Sequence, residues 1–200
     1  MDAAQRQLCD QIDHATQRLL GTARRIPDSE LRQPSLLPGW TRGHVLTHLA
    51  RNADAMRNVL AGARSAEERR MYASLEGREE DIEQGAGRSS KELAEDLASS
   101  AMALRTVMLG LPDDAWQFPV RVPDSGPFPA EGLLTRRLVE VELHHCDLGS
   151  GYGPADWPAA FATWDEAELL EIPMTSRHGT ADAERLGVLP KSMRAVLGVG

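Results

Sequence analysis

The chain has 200 residues, with 22 Lys and Arg against 30 Asp and Glu and a formal net charge of -8. That acidity argues against a nucleic-acid or anionic-membrane surface, and no stretch holds enough consecutive apolar residues to span a bilayer. One compact domain, with or without a short appendage, is the natural reading of the length, and it can bury a core without disulfide or metal staples.

Helical periodicity dominates in chain order. The amino terminus is polar and lacks an apolar h-region, so no signal peptide is expected. With only Cys9 and Cys146 there is no disulfide framework, and a cytoplasmic location is expected. Residues 3–25 space Leu8, Ile12, Ala15, Leu19 and Ala23 by threes and fours, which predicts an amphipathic helix. Pro27 and the loop 34–39 end it. Thr41 can cap a second helix over 41–61, with Val45, Leu49, Met56 and Leu60 as its stripe. Residues 62–87 are charged and less regular, with Met71-Tyr72-Ala73 standing out and a short helix predicted over 78–84.

Ser89-Ser-Lys-Glu92 is a capping-box signature that opens a third long helix through Leu109. Pro119 to Pro129 reads as a loop, with 118–122 the one strand candidate before the tail. Pro129 suits the first turn of a fourth helix, which Gly149-Ser-Gly-Tyr-Gly stops after Leu148. Four long amphipathic helices predict an all-α helix bundle. Pro173, Gly179, Gly187 and Pro190 leave no long periodic run near the end. We therefore divide the chain into a bundle over 1–164 and an irregular tail over 165–200.

Two motifs carry chemistry. His44 and His48 lie one turn apart in the second helix, and Glu140 and His144 lie one turn apart in the fourth. Two helices that offer two imidazoles and a carboxylate could surround one divalent metal. At about 100° per residue His48 falls about 60° from Val45, at the edge of the apolar stripe, and His44 lies further toward solvent. The plain alternative for either is a surface histidine. In the fourth helix His145 shares the apolar direction of Leu134, Leu138, Val141 and Leu148, as a core histidine would. Glu142 and Cys146 form a rival pair with Glu140 and His144, because a thiolate is a good zinc ligand. Periodicity does not choose between the pairs. His14 and His178 read as solvent-facing.

At these motifs the chain resembles the mycothiol-dependent maleylpyruvate isomerases, within the wider DinB-like superfamily. The resemblance covers roughly residues 5–163. It rests on Leu37-Pro-Gly-Trp-Thr-Arg-Gly-His-Val-Leu-Thr-His-Leu-Ala-Arg-Asn-Ala-Asp54, Met71-Tyr-Ala-Ser, Asp81-Ile-Glu-Gln-Gly-Ala-Gly-Arg88, Leu111-Pro-Asp-Asp-Ala-Trp116 and Glu140-Val-Glu-Leu-His-His-Cys-Asp-Leu-Gly149, in that order.

The resemblance implies an antiparallel four-helix bundle holding a divalent metal, usually zinc, on His48, Glu140 and His144. His44, His145 and Cys146 then support or pack around the site. It also implies that the thiol of mycothiol, activated at the metal, adds to the cis double bond of maleylpyruvate. Rotation and elimination then leave fumarylpyruvate. The expected partners are thus a small-molecule thiol and an anionic electrophile, with no nucleic acid and no membrane; exposed bundle faces would suit a homodimer. Arg78 and Arg88 are the candidates for holding the substrate carboxylates. Full-length members continue into a small α/β domain that contributes a basic residue, a pattern the tail here does not match. The alternatives are thiol S-transfer to other electrophiles on the same bundle, or a metal-binding bundle without turnover.

Overall fold

The computed structural model describes residues 1–123 and 125–162; the tail 165–200, with Pro173 and His178, lies outside the described residues. Helices account for most of what is described: α1 (Ala3–Ala23), α2 (Asp28–Leu31), α3 (Arg42–Ser65), α4 (Leu75–Ala86), α5 (Ser90–Leu109), α6 (Gly132–Asp147) and α7 (Ala159–Ala162). None is long and apolar enough to cross a membrane.

Local chemistry sets the helix starts. Asp2 accepts from the Gln5 amide at 2.8 Å while the Gln5 side chain accepts from the Asp2 amide at 3.0 Å, a reciprocal cap on α1. Ser89 and Glu92 cap α5 in the same way, as their spacing predicts. Ser74 accepts from the Gly77 amide and starts α4 three residues before the sequence-based start at 78. At α3 the capping partner of Thr41 is His44, whose Nδ1 accepts from the Thr41 amide at 3.2 Å.

The expected start of the last long helix at Pro129 is corrected. Pro129 instead pairs with Pro119, and Phe128 with Val120, in a two-residue antiparallel ladder of β1 (Pro119–Val120) and β2 (Phe128–Pro129). Proline offers no amide hydrogen, so this ladder stays short. The sequence reading also passes over α2 and α7, single turns too short to show periodicity.

The four long helices close around one core, with α1 packed on α5 and α6, and α3 packed on α5 and α6. Where α3 begins, α6 ends: Arg42 donates through Nε to Leu148 O at 2.8 Å and through Nη2 to Gly149 O at 3.2 Å. A cation there satisfies carbonyls that no helical amide reaches. The preceding loop is strapped to the same end, since the Leu36 amide donates to Asp147 O at 2.8 Å. Gly39, at φ +78°, makes the turn that only glycine enters freely and brings Trp40 over α3.

Against the outer side of α3 lies α4, closer than ordinary side chains allow. A Cβ on Gly43 would stand 2.1 Å from the Ala86 carbonyl oxygen, and one on Gly85 would stand 2.4 Å from Thr47 Cγ2. This approach delivers Arg78 to the face of His48. We expect Gly43→Ala to force the two helices apart and to destabilise the protein by about 1–3 kcal/mol. Gly87→Ala, which meets nothing within 4 Å, should stay within about 0.5 kcal/mol of the parent. Denaturant midpoints of the two variants check this; equal midpoints would show that the contact does not constrain the fold.

Candidate metal centre

His48 and Glu140 meet across the α3–α6 contact, and His144 stands one turn beyond Glu140. His48 Nε2 lies 3.1 Å from Glu140 Oε2 and His144 Nε2 lies 3.4 Å from the same oxygen. Potential ligand atoms of all three residues fall within 4.8 Å of one another, and all three residues are buried. Two imidazole nitrogens and one carboxylate converging in a buried spot make a donor set that fits an open three-ligand divalent site. The rings of His48 and His144 meet edge to face at 4.8 Å, and the Trp40 ring covers His48 at 5.4 Å.

The supporting shell fits as well. His144 Nδ1 lies 2.7 Å from Asp147 Oδ2, with both residues buried. A carboxylate behind an imidazole fixes its tautomer, keeps the proton on Nδ1 and leaves Nε2 for a ligand bond. His48 differs. Its Nδ1 is 3.1 Å from Arg78 Nη2, and a guanidinium can only donate. His48 Nδ1 therefore accepts, and Nε2 carries the proton given to Glu140 while no metal is bound.

Without metal, the charge states follow from burial set against these bonds. Burial alone would raise the Glu140 carboxyl, but hydrogen bonds from His144 and His48 outweigh it and hold the group well below the usual carboxylate range. Burial likewise disfavours the His144 cation, yet the bonds to Asp147 and Glu140 push it up to about 10. His48 has no such surplus, and burial lowers it to about 4. The metal-free centre is thus an imidazolium held between two carboxylates, with a neutral imidazole alongside.

The rival pair in α6 points elsewhere. Glu142 faces α1, where it pairs with Arg18 and accepts from Tyr152 Oη at 2.6 Å. His145 turns the same way, with Nε2 2.8 Å from Thr22 Oγ1 and its ring stacked on Tyr152 at 3.7 Å. Burial pushes the Cys146 thiol up to about 12, so it is no ready thiolate. His44 is drawn into the α3 cap and bonds Glu83 at 2.9 Å.

The two arginines separate. Arg78 lies against His48 and over the Tyr72 ring, 5.6 Å from its centroid. Arg88 bonds Gly85 O at 2.9 Å and Asp96 at 2.9 Å, and none of its contacts among the described residues is with the three clustered side chains. The sequence reading noted Tyr72 without giving it a role, and passed over Asp147 as a partner of His144 and the buried Asn52–Arg137 bond of 2.8 Å. Asp147 had a signal, three residues after His144 on the same helix. Asn52 and Arg137 each lie one turn from His48 and Glu140, and repeat their contact one rung along the helix pair.

A family model described as the mycothiol maleylpyruvate isomerase N-terminal domain matches residues 12–149. Among solved structures, the crystal structure of the mycothiol-dependent maleylpyruvate isomerase is 28% identical to this chain with a TM-score of 0.76, covering 83% of this chain and 68% of that one. The crystal structure of a histidine-to-alanine mutant of that isomerase matches with the same figures. No curated protein sequence matches the chain.

Two outcomes are expected of this centre. His48→Ala and His144→Ala should lose bound divalent metal in elemental analysis, while His44→Ala and Cys146→Ser should keep it; Asp147→Asn should weaken affinity about 10- to 100-fold. Full occupancy in His48→Ala would remove that residue from the ligand set.

Chelated protein should also show a stability dome in pH. His48 and His145 both sit near 4 in the fold, against an ordinary 6.5. The stability tied to them is present above 6.5 and is lost as pH falls from there through 4. His144 sits near 10, so its contribution is complete below 6.5 and is lost as pH rises through 10. Denaturant titrations from acid to alkaline pH read both limbs. A flat profile would contradict these charge states.

Proposed function

The chain belongs to the mycothiol maleylpyruvate isomerase N-terminal domain family, and from that premise we propose that it is a metal- and mycothiol-dependent isomerase converting maleylpyruvate to fumarylpyruvate. The observation that carries this reading is the buried convergence of His48, Glu140 and His144 within 4.8 Å, in a chain 28% identical over most of its length to a mycothiol-dependent maleylpyruvate isomerase. We read the four long helices as an antiparallel bundle of the DinB-like kind, and residues 1–164 as the unit that holds the metal.

His48 and His144 would offer Nε2, and Glu140 a carboxylate oxygen, to one divalent ion, with zinc the best match to two imidazoles and a carboxylate. When bound, such an ion supplies Lewis acidity that lowers the pKa of a thiol placed on it. The remaining work falls to the chain. Asp147 holds the His144 proton on Nδ1, so the ring presents a lone pair inward. Trp40 covers one side of His48 and keeps bulk water from it.

Arg78 is the residue proposed to meet the substrate. If His48 gives Nε2 to a metal, its one remaining proton sits on Nδ1, and the contact with Arg78 becomes donor against donor. The guanidinium must then leave the imidazole, and a carboxylate of the anionic substrate is the partner that replaces it. Loading the centre would thus free the group that recognises the substrate. Both arginines have a carboxylate partner, Glu79 for Arg78 and Asp96 for Arg88; Arg88 is not assigned this role because only Arg78 contacts the cluster, at His48.

The test follows maleylpyruvate absorbance with metal and mycothiol supplied and withheld in turn. Turnover should need both and should vanish in His48→Ala. Turnover that persists without any thiol would overturn the mechanism, and accumulation of a thiol adduct in place of fumarylpyruvate would favour S-transfer. Arg78→Ala should keep its metal and lower kcat/KM about 10- to 100-fold, the range of one charge-assisted hydrogen bond.

A further inference from the structure

The segment between α3 and α4 is fixed at three points. Asn58 of α3 donates through Nδ2 to the Arg70 carbonyl at 2.8 Å. Met71 is buried in the core, and Ser74 caps α4. Tyr72 lies between these points, partly buried and packed against the same core. Its ring is therefore placed by the backbone on either side of it.

Arg78 lies over the face of that ring. Its guanidinium carbon stands 5.6 Å from the ring centroid, within the distance at which an aromatic face attracts a cation. Burial pushes the Tyr72 phenol up, and the charges of Arg78, Glu140 and Arg136 all act on it. The ring thus neighbours the clustered side chains as well as the arginine.

In the metal-free state Arg78 has two acceptors besides the ring, His48 Nδ1 at 3.1 Å and a carboxylate oxygen of Glu79. The three partners differ in what they leave for a ligand. A metal on His48 Nε2 would turn the first contact into donor against donor. Glu79 is exposed; an ion pair in water contributes little, and its charge would cancel the one an anion needs. The ring is neutral, so it can hold the guanidinium and leave both its charge and its N–H groups to another acceptor.

We propose that Tyr72 is a positioning residue, whose aromatic face holds Arg78 beside the centre once His48 has released it, ready for a substrate carboxylate. This rests on the function proposed above, in which Arg78 meets the anion. A group already held in its binding position loses less freedom when the ligand arrives. The ring face supplies the hold, and the hydroxyl is not required. Tyr72 acts through Arg78, so it contributes nothing where Arg78 is missing.

The probe is succinate, a dicarboxylate with no double bond for a thiol to attack. It is titrated calorimetrically into the full chain loaded with zinc and free of thiol. Tyr72→Leu should weaken succinate binding about 5- to 30-fold, the range of a cation–π contact from partly to fully desolvated, with zinc uptake and circular dichroism unchanged. Tyr72→Phe keeps the ring face and should stay within about threefold of the parent. Added to Arg78→Ala, Tyr72→Leu should cost less than about twofold more, because the two side chains act as one unit. Failure to take up zinc, or equal succinate binding by the parent and Arg78→Ala, would overturn the proposed role of Arg78 and this inference with it. Where Arg78→Ala does weaken binding, four results would overturn the role of Tyr72 alone: unchanged binding by Tyr72→Leu, loss of its zinc, a Tyr72→Phe as weak as Tyr72→Leu, or additive losses in the double variant.

Discussion

The structure depends on one constraint: α6 is buried on nearly every side, yet carries Arg136, Arg137, Glu140, Glu142, His144, His145 and Asp147. Charged groups leave water only when other groups replace its hydrogen bonds. Each of these side chains therefore dictates what its neighbour must present. Toward α1 the answers are Arg18 and Thr22, with Tyr152 folding back from the loop after α6. Toward α3 they are His48, Asn52 and the Leu49 carbonyl. The helix is held in place rotationally because turning it would strand charges on both sides at once.

The same requirement fixes the register of α3 against α6. His48 meets Glu140, and one turn along α3 Asn52 meets Arg137, one turn back along α6. Arg42 closes the end of the pair by bonding the carbonyls of Leu148 and Gly149, just past the end of α6. A slip of one residue would break the three contacts together. Beyond this pair, Gly43 and Gly85 let α4 approach until Arg78 reaches His48 Nδ1. The centre is thus assembled from three helices, and the third contributes only through a close approach that two missing side chains permit.

In the metal-free state this arrangement is balanced by protons. His144, between Asp147 and Glu140, carries the positive charge that a divalent ion would otherwise supply, and Glu140 keeps its negative charge because both histidines bond it. Protons and the proposed metal would compete for the same nitrogens. That competition would make the proposed chemistry a property of buried geometry rather than of unusual residues: the proposed ligand set is ordinary, and its depth, its Asp147 support and its Arg78 neighbour set it apart.

The sequence determined the long helices and the capping box at Ser89, because amphipathic spacing and local side-chain bonds do not need the rest of the fold. It also held the motif order that resembles the isomerase family, and so carried the expected His48, Glu140 and His144. Its own periodicity left Glu140–His144 and Glu142–Cys146 unresolved. A helical wheel assumes one wet face, and α6 has almost none. His48 at the stripe edge is buried rather than open to solvent, because α4 covers a second face of α3. Nor did local pattern separate Arg78 from Arg88, which lie in one stretch and end on different helices. Tertiary structure decided these points, because a side chain's partner across the bundle depends on the register between segments about ninety residues apart, and no local rule encodes that distance.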